Sequence, residues 1–313
     1  MNNKLKITTR LIVEEATQRG LSVEVLDIKK CFISITDKNK RLHLLRSNLS
    51  EKTPAVSYLL ANHKPTARAI LLANGLPVPE EIIIRKGGDV GNILERFRKV
   101  VVKPVDAAHG NGVTVGVEDH AALVAAIEYA QEYSKNVIVQ EHVGGDDYRL
   151  LYIGDQLVAA AMRKPARVFG DGIHSIGQLI DMENKNPDRG RNYSEKMNFI
   201  DRSAAERYLE DRINEVPEPN KEVQVVGTAN IGSGGEAFDV TEDIDARVVK
   251  IGLEAARALK LGLCAVDIIM DSNDPLSAKI IELNASPTFG MHEYPSHGSP
   301  RPVTKHFLDW LVD

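Results

Sequence analysis

A chain of 313 residues exceeds one average domain and has room for about two lobes. Hydrophobic residues at 43% and charged residues at 27% are ordinary for a soluble globular protein, which excludes a collagen-like, disordered or transmembrane chain. The 39 Lys and Arg against 44 Asp and Glu leave a net charge of −5, too even for a duplex-wide nucleic-acid footprint, and aromatics at 5% leave few platforms for single strands. Cys31 and Cys264 lie in unrelated segments and give neither a disulfide framework nor a Cys-rich zinc site. The start carries no signal-peptide pattern, and no apolar run approaches the roughly 18 residues of a membrane span. The expected location is the cytoplasm, with no membrane and no nucleic-acid partner.

Residues 7–19 space Ile7, Leu11, Ile12 and Ala16 as a helix that Gly20 stops. Val23–Leu26, Cys31–Thr36 and Leu42–Leu45 follow as strands, so the first sixty residues predict a helix and three strands, too small a unit to stand alone. From Lys64 the pattern predicts a helix at 65–74, a break at Gly75-Leu76-Pro77-Val78-Pro79, a strand at 81–84, a helix at 89–98 and a strand at 99–103. A glycine turn at 109–112, a strand at 113–117, a helix at 119–134 and a strand at 136–140 come next, then a hairpin over 148–163 turning at Gly154-Asp155. Residues 164–200 are rich in Gly, Asn, Asp and Arg and poor in apolar periodicity. They read as a functional loop or lid, with a disordered excursion as the alternative. The last third predicts a helix at 243–260, strands Cys264–Met270 and Lys279–Asn284 joined by a turn over 271–277, and a helix at 302–312.

If those two late strands form a symmetric hairpin centred between Asp274 and Pro275, Asp267 falls directly across from Glu282. Carboxylates so paired repel unless a divalent cation sits between them. Asn284 projects from the same face as Glu282. Three hard oxygen donors suit magnesium completed by phosphate and water, and a solvated polar sheet face is the alternative. Lys103 ends the apolar run Val100-Val101-Val102 before a loop bearing Gly110 and Gly112, where backbone N–H groups and a lysine could meet phosphates. That loop is neither a Walker nor a Rossmann signature, and a plain turn explains it equally. A second glycine cluster, Asn230 to Gly235, reads as an anion site or as a hairpin loop.

Taken in order, Lys64-Pro65-Thr66-Ala67-Arg68, Val101 to Pro104, His109 to Gly112, Gly145-Asp146-Asp147-Tyr148-Arg149, Val168 to Gly172, Asn186 to Gly190, Thr228 to Gly235, Ala265-Val266-Asp267, Ile281 to Pro287 and Met291 to Tyr294 resemble the ATP-grasp superfamily. The resemblance runs from about residue 5 and is nearest to the ATP-grasp modules of cyanophycin synthetase and bifunctional glutathione synthetases. It implies an α+β class, the ATP-grasp fold with two α+β lobes clamping ATP, preceded by a small N-terminal α/β piece. The implied division is 1–62, then an ATP-grasp unit over 63–313, with a small lobe at about 63–138 and a C-terminal lobe at about 139–313.

By that resemblance Lys64 and Lys103 are the ATP-phosphate lysines, and His109, Gly110, Gly112 and Val113 belong to a loop closing over the phosphates. Gln140, Glu141 and Val143 belong to the hinge that reads adenine, Asp147 meets the ribose hydroxyls, and Asp267, Glu282 and Asn284 hold magnesium. Arg149, Arg163 and Asn230 are the catalytic candidates, the two arginines facing the carboxylate substrate, the transferred phosphoryl group or both, with surface salt bridges as their alternative. Met291 and His292 are candidates for the acceptor pocket, and His174 reads as a locally bonded loop histidine. Gln140 stands where glutamate is usual. Val226 stands where relatives place an arginine, which puts the acceptor in doubt unless Arg163 or a shifted arginine compensates.

The function implied is an ATP-dependent ligase joining a small-molecule carboxylate, an amino acid or short peptide, to an amine through an acyl phosphate. ATP and two Mg2+ ions, replaceable by Mn2+, are the implied cofactors, and a homodimer is the implied assembly. The chain carries neither the glutamate–cysteine ligase nor the Mur-ligase-like domain of its look-alikes, which implies a free-standing module. A small-molecule kinase or a non-catalytic nucleotide-binding module are the alternatives.

Overall fold

A computed structural model describes residues 4–106, 112–191, 195 and 197–313. The N-terminal part runs α1 (Ile7–Gln18), β1 (Ser22–Asp27), β2 (Phe32–Thr36), β3 (Leu42–Arg46) and α2 (Ala55–Asn62). Then come α3 (Lys64–Ala73), β4 (Glu81–Arg85), α4 (Ile93–Phe97), β5 (Val100–Pro104), β6 (Thr114–Val117), α5 (His120–Gln131) and β7 (Asn136–Glu141). The middle holds β8 (Asp146–Ile153), β9 (Gln156–Lys164), β10 (Arg167–Phe169), α6 (Ile176–Glu183), β11 (Arg189–Gly190), β12 (Met197–Asn198), α7 (Arg202–Leu209) and β13 (Glu222–Gln224). The chain ends with β14 (Glu236–Asp239), α8 (Ala246–Ala258), β15 (Leu263–Asp271), β16 (Asp274–Asn284), α9 (Gly290–Glu293) and α10 (Val303–Val312).

Two antiparallel sheets organise these elements. A four-stranded sheet, β4-β7-β5-β6, buries Val100, Val102, Val137 and Val139 against Leu123, Ala126, Ile127 and Ala130 of α5. Asp119 caps α5, its side chain accepting from Ala122 N at 2.8 Å. A five-stranded sheet, β14-β9-β8-β15-β16, is covered on both faces. Successive side chains point to opposite faces, so Leu150, Tyr152, Cys264 and Val266 join α8, α3 and α2. Leu151, Ile153, Leu263 and Ala265 join α1, α10 and the small β1-β2-β3 sheet. The N-terminal piece therefore shares its core with the large sheet, which is why its few residues need no core of their own. The expected boundary at 62/63 falls between α2 and α3, which pack on each other.

Several expectations need correction. The 89–98 helix shrinks to Ile93–Phe97, because Asp89 Oδ1 accepts from Gly91 N at 2.9 Å and holds an Asx turn where the helix would begin. The 243–260 helix begins only at Ala246, after Asp245, whose side chain accepts from Arg247 N. Residues 164–200 are not an open loop. They contribute β10, α6, β11 and β12, and Val168, Ile176, Leu179, Ile180 and Ile200 build a small core with Ala205, Leu209, Val223, Val225 and Val226. Ser175 and Gln178 form a capping box at the start of α6. The late hairpin turns at Ser272-Asn273, with Asp271 opposite Asp274, so β16 starts five residues earlier than expected. Two register shifts along β15 and β16 nevertheless bring Asp267 opposite Glu282. Pro275 is tolerated because β16 is an edge strand.

Candidate active site

The site begins with two lysines on separate elements. Lys103 is the fourth residue of β5 and is 7% exposed; its Nζ donates to Gln140 Oε1 at 3.1 Å. Burial pushes its ammonium below the usual value, Glu282 and Glu81 act the other way, and Lys64 and Arg68 add to the fall. A buried cation so placed gains from an arriving anion. Lys64 opens α3, and its Nζ reaches Val105 O at 3.4 Å. Lys64, Lys103 and Gln140 line one cavity with Arg68, Glu81 and Glu282.

Sequence reasoning missed Arg68 and Glu81 as members of this cavity. Arg68 lies four residues after Lys64 on one helix, a spacing that puts both on one face. Its Nε donates to Pro79 O at 3.0 Å and stands 3.7 Å from Glu81. Glu81 comes to Gln140 through β4–β7 pairing, where the two are register partners. No local pattern announces that pairing.

The second half of the site lies on the large sheet. Asp267 on β15 pairs across to Arg149 on β8 and to Glu282 on β16, and Asp147 pairs with Arg163 on β9. Pairing partners share a face, so one end of one sheet face collects all five charges. Asp267 is 4% exposed. Its two oxygens accept from Arg149 Nε at 2.7 Å and Nη2 at 2.6 Å, and one of them also lies 3.0 Å from Arg163 Nη2. Burial alone would raise the carboxyl, but Arg149 and Arg163 outweigh it and hold Asp267 below the usual carboxylate range. Arg163 also donates through Nε to Asp147 Oδ1 at 2.8 Å. Burial opposes its charge, and Asp147 and Asp267 together keep the guanidinium above its ordinary value.

Asn284 Nδ2 lies 3.5 Å from Asp267 Oδ2 and 3.4 Å from Glu282 Oε1. An amide turned over would present its oxygen to the same point. Among the described residues no group of three or more His, Cys, Asp or Glu side chains is arranged to hold a metal. The trio here is two carboxylates and an amide, a hard-oxygen set that fits magnesium with phosphate and water completing the shell.

The other expected residues scatter around these two halves. His109 and Gly110 lie outside the described residues. Gly112 has φ +71°, and a Cβ there would come within 2.7 Å of the Tyr133 ring, so the turn before Val113 requires glycine. Glu141 ends β7 and accepts from Glu80 N at 2.9 Å, with Val143 just beyond it. Asp147 stands against Arg163 and so belongs to the arginine network. Asn230 Oδ1 accepts from Gly232 N at 2.8 Å and shapes the glycine cluster. His174 bonds to Asp171 at 2.6 Å, the local role expected of it. Val226 is buried in the apolar core of the 164–226 region.

Met291 packs with Ala161, Ile231 and Ala237. His292 is 2% exposed, its Nε2 lacks a hydrogen-bond partner, and burial together with Arg149 and Arg163 pushes its imidazole down to about 3. It stands neutral beside the site.

Comparison with known proteins gives this geometry its context. Residues 61–173 match the RimK-like ATP-grasp domain. The cyanophycin synthetase of Trichormus variabilis is 31% identical over 314 residues, an alignment covering 97% of this chain and 35% of that protein. The glutathione biosynthesis bifunctional protein GshAB of Clostridium perfringens is 28% identical over 327 residues, covering 99% of this chain and 41% of that protein. The crystal structure of a bifunctional glutathione synthetase from Pasteurella multocida superposes with a TM-score of 0.72 at 25% identity, covering 99% of this chain and 44% of that one. The chain thus spans between 35% and 44% of the length of these relatives. The two-sheet α+β architecture is an ATP-grasp fold, and this chain carries a RimK-like ATP-grasp domain homologous to the ATP-grasp regions of cyanophycin synthetase and bifunctional glutathione synthetase.

Proposed function

We propose that this chain is an ATP-dependent ligase that joins a carboxylate, an amino acid or short peptide, to an amine through an acyl phosphate. The observation that carries the reading is the place of Glu282. It lines the cavity of Lys64 and Lys103 and also meets Asn284 beside the Asp267–Arg149 pair. Groups fit for phosphate and groups fit for a carboxylate are therefore continuous. The homologues are ATP-grasp ligases that form C–N bonds with ATP, which supports the same chemistry here.

In this reading the lobes at about 63–138 and 139–313 clamp ATP. Gln140, Glu141 and Val143 bind the base, and Lys64, Lys103 and the loop around His109, Gly110, Gly112 and Val113 hold the phosphates. Asp267, Glu282 and Asn284 would hold Mg2+, two ions or Mn2+ in its place, which neutralises phosphate charge when bound. A substrate carboxylate oxygen attacks the γ-phosphorus in line and ADP leaves, giving the acyl phosphate. The amine attacks the acyl carbon, phosphate departs, and an amide remains. Arg149 and Arg163 steady the anionic oxygens in both steps, and Asn230 shapes the loop beside them. Positioning and charge neutralisation do the work, so no side-chain nucleophile is needed. A homodimer in the cytoplasm is the setting the resemblance implies.

The reading is tested by incubating the protein with MgATP and pairs drawn from amino acids and dipeptides, following ADP and product, with hydroxylamine as a second acceptor. The expected result is ADP release that depends on a carboxylate, with an amide or a hydroxamate formed in step. A stable phosphorylated product would make it a kinase, and nucleotide binding with no turnover over any pair would make it a binding module.

A further inference from the structure

The two arginines of the site are not equivalent. Arg163 touches both Asp147 and Asp267, so it keeps an anionic partner if Asp267 leaves. Among the described residues Arg149 has one carboxylate, Asp267, gripped by a two-pronged fork at 2.7 and 2.6 Å. Its side chain is 11% exposed and that of Asp267 is 5% exposed. Glu282, across the strand from Asp267, meets only the Asn284 amide within hydrogen-bond distance among the described residues. One carboxylate of the metal-ligand trio is thus open, and the other is closed by a guanidinium.

A guanidinium fork and a hard cation compete for the same lone pairs. In this geometry the Nε and Nη2 edge of Arg149, the fork that would grip an incoming carboxylate or phosphate, is held by Asp267. We infer that Asp267 exchanges Arg149 for the divalent cation, so that metal loading uncovers Arg149 as the receptor for the substrate carboxylate or the transferred phosphoryl oxygens. The inference rests on the metal assignment of the proposed function and adds an order to it. Binding begins at Glu282 and Asn284, Asp267 turns to the cation, Arg163 falls back on Asp147, and Arg149 is left without an anion until the substrate supplies one. A carboxylate arriving before the metal meets two guanidinium groups already paired with Asp147 and Asp267.

The competition is measurable without a substrate. Mn2+ alone serves as the probe, with affinity read by electron paramagnetic resonance of free Mn2+ and by calorimetry on the nucleotide-free protein. Arg149→Lys keeps the charge but cannot fork two carboxylate oxygens, so it separates competition for Asp267 from simple charge repulsion. Arg149→Met removes both.

The expected result is that Arg149→Lys binds Mn2+ several-fold more tightly than the native chain and Arg149→Met about tenfold more tightly, a change of about 1.4 kcal/mol. Asp267→Asn and Glu282→Gln should bind it more weakly. If the acidic variants weaken binding but Arg149→Lys binds no more tightly than the native chain, the exchange is overturned and the metal assignment stands. If neither acidic variant weakens binding, the metal assignment falls and the exchange with it. Should Arg149→Met fail to fold, Arg149→Lys alone decides.

Discussion

Replacing Glu282 by Gln is expected to lower ADP formation by about a thousandfold and to leave the unfolding midpoint where it is. The loss follows from charge. A cation on phosphate oxygens contributes several kcal/mol to the transition state, and each 1.36 kcal/mol is a factor of ten, so losing it costs about 10³. Glutamine keeps the size of the side chain and one oxygen, but not the negative charge that draws the ion in. Stability should hold because Glu282 is half-buried on an edge strand, accepts no guanidinium hydrogen bond among the described residues, and leaves Lys103 with Glu81 as a counter-charge. Steady-state ADP release at saturating ATP and magnesium, with urea unfolding alongside, checks both halves. Native turnover in this variant would contradict the metal assignment.

Asp267→Ala is expected to behave differently, although the two carboxylates face each other. It should cost about 3–5 kcal/mol of stability, because it leaves Arg149 and part of Arg163 buried beside no counter-charge. The double variant Asp267→Leu with Arg149→Met removes both members of the pair and should recover most of that loss, since a buried ion pair replaced by apolar groups is often neutral. Urea unfolding of the native chain and the two variants measures this. A single-variant loss below about 1 kcal/mol would mean that the arginines find other partners. Both variants should be inactive, so only stability separates the structural work of Asp267 from the role at the phosphates proposed for it.

Much of this site could be read from the chain because its parts are local. Lys103 at the end of a Val-rich strand, the glycine turn at Gly112, and the facing of Asp267 and Glu282 across one hairpin need only short-range reasoning. The hairpin also shows how such reasoning goes astray. The turn was expected around Asp274-Pro275, where turn-forming residues are densest, yet it lies at Ser272-Asn273, and the pairing survives only through two register shifts. The Asp267–Arg149 pair was not legible at all. It depends on β8 lying beside β15, which brings together Arg149 and Asp267 from 118 positions apart. Arg68 and Glu81 become site residues for the same kind of reason, through a cavity closed by distant elements. The 164–200 stretch looked structureless because its elements are short and its apolar residues find partners after residue 200. Even so, Ser175 and Gln178 stood three residues apart before Leu179 and Ile180, a readable helix start.

The most direct test of the ligase reading follows one oxygen atom. If the carboxylate attacks the γ-phosphorus, one of its oxygens must leave with phosphate when the amine takes the acyl group. With a carboxylate substrate labelled in both oxygens with heavy oxygen, mass spectrometry of the released phosphate is expected to show one label per amide formed, and none in ADP. Amide formation with unlabelled phosphate, or label retained in a stable phosphorylated product, would contradict the acyl-phosphate ligase proposed for this chain.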